Sequence, residues 1–517
     1  MKHSGHNDRK EHSMSIIHDA IYTAAEDKDH AGNPLIEALP APREHKQWLE
    51  LLMQRPAYSE NDRLGSESVR MDRLQSILRF HQPGRREIEI AFKIDKCIRW
   101  GYVGRNPYLP EYAMKYAAVG SPDQYSLPSY QPKTYGFSIL GLSGIGKSTA
   151  VEMILSGYPQ VIRHTRYQGQ HFLAHQVPWI KLDMPADGSI KGFCLSYFRR
   201  LDALLQTDYA DKLSRRRATM DFMVNAMETT VLTHNVGIIV VDELQNLVGL
   251  PRNQAELVLN FLVTIVNVLG IPIITIGTPK ALALYQSELQ QAKRGSGQGN
   301  VFWDRMENGQ DWNRFLRSMW PYQYTRDSVP LTDQMAEAFY TESQGIPFIA
   351  VNLYKLVQEQ AILDKAETFS VRDVHKTASS ELKLTEPMRR ALQAGRDVDL
   401  HHFLDIRPIS EKYCEEYGIP QDAPVPRDMR EQKETVIEKA VRIVCMLGFT
   451  PGDAKKAVVQ VYSRQNSQIE AEELARHSVL LLMQGKSSQD SDKESHLEQI
   501  CGYDNLKNAG LIDEKAG

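Results

Sequence analysis

Gly141-Leu-Ser-Gly-Ile-Gly-Lys147-Ser148 decides the fold. These eight residues satisfy the pattern G-x-x-x-x-G-K-[ST], the loop that cradles nucleotide phosphates. Residues 135–140 before it (Tyr-Gly-Phe-Ser-Ile-Leu) are short, apolar and β-rich, which predicts a buried strand, and Thr149 to Leu155 runs at helical spacing. Gly141, Gly144 and Gly146 let backbone N–H groups turn inward on an anion, with Leu142, Ser143, Ile145 and Thr149 completing the cradle. The helix start adds partial positive charge. Lys147 is placed to reach the β- and γ-phosphates and Ser148 to hold Mg²⁺, so the expected ligands are ATP and Mg²⁺.

About ninety residues later, His234-Asn-Val-Gly-Ile-Ile-Val-Val-Asp242-Glu243 is an apolar run that ends in two carboxylates. A strand buried on both faces reads as continuous Val and Ile rather than as alternation. Asp242, at its C-terminal end, is placed to accept Mg²⁺-bound water, and Glu243 to orient or deprotonate an attacking water. The pair predicts hydrolysis as well as binding.

Length and composition agree with a large chain that buries a real core. The 517 residues are 42% hydrophobic and carry a net charge of −4, so global basicity does not advertise a nucleic-acid partner. Five scattered cysteines with no C-x-x-C argue against a zinc module or a disulfide framework. They fit a reducing, cytoplasmic setting. Neither a signal peptide nor an apolar run long enough to cross a bilayer is evident, so a membrane is not expected as a partner. His3, His6, His12 and His18 lie in a polar segment whose composition predicts a disordered tail rather than a metal site.

Further elements follow in order. Arg86 to Trp100 reads as an amphipathic helix, ending in Gly101-Tyr-Val-Gly-Arg-Asn-Pro107. Trp179 to Met184 is a second strand, a helix covers Ile190 to Leu205, and Ala255 to Leu269 is a mostly apolar helix. Ile271-Pro-Ile-Ile-Thr-Ile-Gly-Thr278 is a third buried strand with a polar end. Thr278 fits either of two roles: a cap for a helix beginning at Pro279, or a hydrogen-bonding sensor of the γ-phosphate or attacking water. This succession is that of an AAA+ module, and helical segments Leu331 to Glu342, Phe348 to Leu363 and Val371 to Leu382 predict a small helical lid. The expected fold class is therefore α/β: an AAA+ P-loop ATPase core, a parallel sheet between helices, with a small helical lid and mostly helical N- and C-terminal extensions.

The phosphate loop, Val-Val-Asp-Glu-Leu-Gln-Asn-Leu (240–247) and Ile-Gly-Thr-Pro-Lys (276–280) resemble the TnsC/TniB group of transposition regulators. Segments outside these motifs resemble the larger TnsC proteins of heteromeric, target-selecting transposons: Asn33-Pro-Leu-Ile-Glu-Ala-Leu-Pro40, residues 101–107, Tyr158-Pro-Gln-Val-Ile, Gly188-Ser-Ile-Lys191 and Ala292-Lys-Arg-Gly-Ser-Gly. The resemblance covers roughly residues 30–395. It implies an ATP-dependent matchmaker that polymerises on double-stranded DNA as a ring or filament. Such a protein takes a signal from a target-selector protein, recruits and activates the transposase and its companion endonuclease, and uses hydrolysis to disassemble. Ring assembly implies an arginine supplied to the neighbouring subunit, with Arg294, beside Lys293, as the leading position; a solvated basic pair at a helix C-terminus is the other account of it. Gly345-Ile-Pro-Phe348 departs from the pattern, placing phenylalanine where AAA+ lids often carry a sensor arginine.

Local charge supplies the DNA-contact candidates. Arg199, Arg200, Lys212, Arg215, Arg216 and Arg217 stand against Asp202, Asp208 and Asp211. Val161 to Val177, a hairpin-like insertion, carries Arg163, Arg166, Tyr167, Phe172 and three histidines with no acid. Either fits a sequence-independent contact with phosphates or a solvated face. No base-reading motif accompanies them.

The expected organisation is a partner-binding extension (1–85), a helix and connector (86–132), the nucleotide-binding core (133–325), the lid (326–397), a C-terminal helical domain (398–484) and a linker with a transposase-docking tail (485–517). That tail could equally fold back on its own chain. Two readings from other classes remain open: a helicase or clamp loader of the same ATPase superfamily, and a nucleotide-switched signalling scaffold without DNA.

Overall fold

The structure, a computed structural model, describes residues 17–117, 136–215, 219–281 and 299–394, the helix Pro451–Tyr462, and a few helical positions between 440 and 481. Two compact units divide the chain, residues 1–425 and 426–517.

In the first unit, strands β1 (Ile17–Asp19), β2 (Phe137–Gly141), β3 (Val161–Tyr167), β4 (Gln170–Gln176), β5 (Trp179–Asp183), β6 (Ile238–Asp242), β7 (Ile273–Gly277) and β8 (Val301–Trp303) form two sheets. Five of them make a wholly parallel sheet in the order β5-β6-β7-β2-β8. The core is thus α/β, as its strand signals predict. β6 is buried at all five positions, which is why it needs Ile-Ile-Val-Val rather than an alternating pattern. Because the strands are parallel, every C-terminal end opens on one edge, where ligands bind in such sheets. β7 stands between the acidic strand and the phosphate-loop strand, so Thr278 emerges between Asp242 and Gly141. The smaller sheet is a β3–β4 antiparallel hairpin with β1 parallel to β3.

Helices α1 (Pro34–Glu37), α2 (His45–Leu52), α3 (Glu67–Leu74), α4 (Arg85–Val103) and α5 (Pro110–Ala117) precede the sheet; α6 (Lys147–Ser156), α7 (Ile190–Leu205), α8 (Tyr209–Arg215), α9 (Met220–Thr233) and α10 (Arg252–Leu269) are interleaved with it. Ser189 caps α7 by accepting the Gly192 N–H at 2.9 Å, so the Gly-Ser-Ile-Lys segment is a helix start.

The described part of the N-terminal segment, from Ile17 on, is built into the first unit rather than standing apart. Leu35, Ile36, Trp48 and Leu52 are buried with Ile94, Ile98, Val151 and Ile154 in the core cluster under β2. Leu74, Ile77 and Phe80 are buried instead with Trp312, Tyr324, Tyr354 and Val357 of the lid. The chain therefore leaves the core after α2, covers the lid, and returns through α4. The outgoing and returning strands are tied to each other by Gln54 and His81, which exchange two backbone hydrogen bonds of 3.0 Å. Arg70 fixes this cover to the lid: it grips both carboxylate oxygens of Glu367, at 2.6 and 2.7 Å, and donates to Tyr324 O at 2.9 Å.

The lid comprises helices Asp333–Ser343, Pro347–Leu363, Val371–Glu381 and Glu386–Ala394. Helix Gln310–Met319 shares its cluster through Trp312, Phe315 and Leu316, although the sequence places it before the boundary at 325. In the second unit, Ala454, Ala457 and Val458 of the helix Pro451–Tyr462 are buried. The linker and tail of 485–517 lie outside the described residues.

Candidate nucleotide site

The phosphate loop leaves β2 at Gly141 and enters α6 at Lys147. Its glycines are required at two places: Gly144 has φ 78° and Gly146 φ 102°, conformations that cost a residue with a Cβ about 1–2 kcal/mol. Gly146 is also the N-cap of α6 and gives that helix start no side-chain cap, so the first N–H groups remain for an anion. Lys147 is buried, and its ammonium donates to Gly141 O and Leu142 O, each at 2.8 Å. Ser143 and Thr149 are exposed, Ser148 is half-buried and Ile145 is buried. Leu142 packs under the lid with Ile346, Ile349 and Leu392. Phe348, 65% exposed, stands beside the loop, since a Cβ placed on Gly144 would lie 3.6 Å from its Cβ. The lid arginine Arg389 is committed to Glu342, and Arg305 donates to Gln344 Oε1 at 2.7 Å.

At the end of β6, Asp242 is 4% exposed. One carboxylate oxygen accepts the Glu243 N–H at 2.8 Å and the other lies 3.0 Å from Lys181 Nζ. Lys181, on the adjacent strand β5, also meets Glu152 of α6 at 2.8 Å. Burial works against its charge, but the hydrogen bonds it donates to Glu152 and Asp242 prevail and raise its pKa. Glu152 is four residues beyond Ser148 on the same helical face, so Lys181 turns that face toward Asp242. An aspartate oxygen and a serine hydroxyl are hard oxygen donors, the kind Mg²⁺ takes, so these residues fit the ion. Sequence reasoning misses Lys181, because a lone lysine in an apolar strand carries no signature.

Glu243 follows with φ 58°, so the chain departs from the strand direction directly after Asp242. Burial first, then the carboxylates of Asp242 and Asp183, raise its pKa above the ordinary carboxylate value. The Gln245 amide donates to Glu243 Oε2, and its oxygen accepts the Thr278 N–H at 3.1 Å. Thr278 is 5% exposed. Its carbonyl accepts the Ala281 N–H at 2.9 Å at the short turn Pro279–Ala281, so it also starts a turn. The geometry thus brings together Gly141 to Ser148, Asp242, Glu243 and Thr278. It can hold a nucleoside triphosphate at the loop with a carboxylate base nearby.

The DNA-contact candidates sort differently. Arg163 and Arg166 are exposed on the hairpin, Arg163 paired with Asp19 at 2.7 Å. His175 lies across from Arg163 and His171 across from Arg166. Tyr167 is not an exposed contact residue: it is 3% exposed, packs on Tyr22 and Tyr108, and donates its hydroxyl to Glu37 at 2.7 Å. Position 167 faces inward because the ladder shifts register between His164 and Arg166: strict alternation would put 167 on the exposed face of Arg163, whereas the irregularity leaves Thr165 and Arg166 outside and turns Tyr167 in. Arg199 and Arg200 are exposed on α7. Arg215 is taken by Asp211 at 3.2 Å and Lys212 by Asp208 at 2.7 Å, so each of these two cations on α8 is paired with the carboxylate four residues before it. Arg216, Arg217, Lys293 and Arg294 lie outside the described residues. Among the described residues no helix is long and apolar enough to cross a membrane.

Residues 135–284 match the family model of an AAA domain, a span that begins at the phosphate-loop strand and ends just beyond Thr278. Among solved structures, the chain is similar to Drosophila ORC bound to DNA, at 11% identity over 88% of each chain and a TM-score of 0.34. It is also similar to a Walker-type ATPase of Pyrococcus abyssi, at 13% identity over 74% of this chain and 88% of that one, with a TM-score of 0.31. No curated protein matches the sequence. Residues 135–284 are thus matched as an AAA domain, within an α/β unit whose parallel sheet carries the phosphate loop and whose remaining described segments are mostly helical.

Proposed function

We propose that this chain is an ATP-dependent, DNA-binding regulator of transposition. It assembles on target DNA, links a target-selector protein to a transposase and activates it, and comes apart on ATP hydrolysis. One observation carries the reading. Segments 33–40 and 101–107, which resemble the larger TnsC proteins and not AAA+ proteins at large, are joined to each other and to the acidic strand. Asn33 donates to Tyr102 O at 2.8 Å and Asn106 to Gly32 O at 3.0 Å. Tyr102 donates to Asn235 O at 2.7 Å, and Arg105 to Val236 O and Gly237 O at 2.6 and 3.1 Å, just ahead of β6. Buried bonds of this kind make these segments part of the ATPase core rather than an appendage.

In this function the triphosphate lies on the N–H groups of residues 141–149. Lys147 exchanges its two carbonyl partners for β- and γ-phosphate oxygens. Ser148 and Asp242 would hold Mg²⁺, which would supply positive charge against the phosphates. Glu243 accepts a proton from water as the water oxygen bonds to the γ-phosphorus and the bond to the β-phosphate oxygen breaks, releasing ADP. Thr278 reports the state of the γ-phosphate. The hairpin arginines Arg163 and Arg166, with Arg199 and Arg200, meet DNA phosphates without reading sequence. Arg294 serves the neighbouring subunit's site. The test is DNA binding and particle size with ATP, ADP and a slowly hydrolysed analogue, for wild type and Lys147→Ala. Large assemblies on DNA with ATP or its analogue, absent with ADP and in the variant, support the reading. DNA binding that ignores the nucleotide overturns it.

A further inference from the structure

Among the described residues, Gln245 is the side chain that bridges the carboxylate expected to act as base and the polar end of the neighbouring strand. Its Nε2 donates to Glu243 Oε2 while its Oε1 accepts the Thr278 N–H at 3.1 Å. A carboxamide suits both tasks at neutral pH, because it carries a donor and an acceptor on one planar, uncharged group. A lysine or arginine there would pair with Glu243 and weaken it as a base, and a glutamate would repel it.

The turn that carries Gln245 is fixed on both sides. Leu244 and Leu247 are fully buried, and Asn246 donates to Met184 O at 2.8 Å. The amide therefore has a set position beside Glu243, whose own backbone is left-handed (φ 58°), a conformation that carries a strain cost outside glycine. One carboxylate oxygen of Glu243 is engaged by Gln245 and the other takes no part in that contact.

We propose that Gln245 is a positioning residue for ATP hydrolysis: it sets the orientation of Glu243 and couples it to Thr278, so that movement of the β7 end is felt at the base. This rests on the ATPase reading above. The test is steady-state ATP hydrolysis with Mg²⁺, alongside binding of a fluorescent ATP analogue, for wild type, Gln245→Glu, Gln245→Leu and Glu243→Gln. Gln245→Glu keeps the acceptor for Thr278 but loses the donor to Glu243; Gln245→Leu loses both. A misdirected base costs about 10²-fold, so kcat is expected to fall by about that factor in both variants while analogue affinity stays within about twofold. That split between turnover and binding separates positioning from a loosened fold. Near wild-type kcat in Gln245→Glu, or a loss of affinity equal to the loss of kcat in both variants, overturns the proposal. Wild-type protein that does not hydrolyse ATP, or Glu243→Gln that hydrolyses as well as wild type, overturns the ATPase reading itself and this proposal with it.

Discussion

Lys181 Nζ lies 3.0 Å from Asp242 Oδ2, one strand across from it, and so supplies a cation at the acidic end of β6. Removing one partner of such a buried pair costs about 3 kcal/mol or more, because the other charge stays behind. Lys181→Met is expected to destabilise the nucleotide-free protein by that amount, read from its urea midpoint. Mg²⁺ and ATP should return more stability to the variant than to wild type, since they supply the missing countercharge. Equal midpoints without nucleotide would show that the pair carries no stability.

Arg163 and Arg166 are exposed on the hairpin, so neither supports the fold by burial. The double variant Arg163→Ala with Arg166→Ala is expected to bind DNA more weakly at every sequence. Its plot of log affinity against log salt should flatten by about 0.9 for each DNA phosphate that is no longer neutralised. Tyr167→Phe should lower stability by about 1–3 kcal/mol through the unpaired Glu37 oxygen and leave the salt slope alone. Anisotropy titrations at several salt concentrations distinguish the two.

Two buried histidines make the fold acid-sensitive. His164 accepts from Tyr22 and meets Gln176 Oε1 at 2.9 Å, and His234 meets the Tyr209 hydroxyl at 3.0 Å. Burial pushes the pKa of each down to about 4. Both stay neutral in the folded chain, whereas the unfolded chain takes up protons near pH 6.5. Stability is therefore full above pH 6.5 and lost as pH falls toward about 4, by about 2 kcal/mol for each histidine between pH 7 and 5. Urea midpoints across that window should show it, with a smaller decline in His164→Asn.

Glu367 is held below the ordinary carboxylate value first by its hydrogen bonds to Arg70, in spite of partial burial. Its contribution is present above the unfolded carboxylate pKa and lost as pH falls through the lowered folded one. At neutral pH Glu367→Gln leaves the Arg70 guanidinium buried against an amide, and a loss of about 3 kcal/mol is expected. Limited proteolysis between residues 53 and 84 should then quicken, reporting release of this segment from the lid.

The core and the phosphate site are legible in the sequence because their signals are contiguous: one eight-residue loop, one apolar run ending in Asp242 and Glu243, one apolar run ending in Thr278. Helix Ile190–Leu205 shows the same directness, with a serine cap at one end and a full apolar face. Lys181 and the Arg70–Glu367 pair are not legible. Their meaning lies in contacts between separate strands or across nearly three hundred residues, for which a single sequence holds no pattern. Tyr167 reads as an outward residue when its charged neighbours are weighed alone, whereas the register shift between His164 and Arg166, which a single sequence does not announce, turns position 167 inward. Phe348 is legible as a departure from an expected arginine, and its place against the loop gives that departure a location.

The covering segment joins the lid to the core at a second place, besides the connection that follows Trp303. A body pinned at one point can swivel freely, whereas a body pinned at two separated points turns only about the line between them. The Gln54–His81 bonds make the second pin a two-stranded band. The lid is thereby attached to the core at two separated places, and Phe348 of the lid stands beside the phosphate loop.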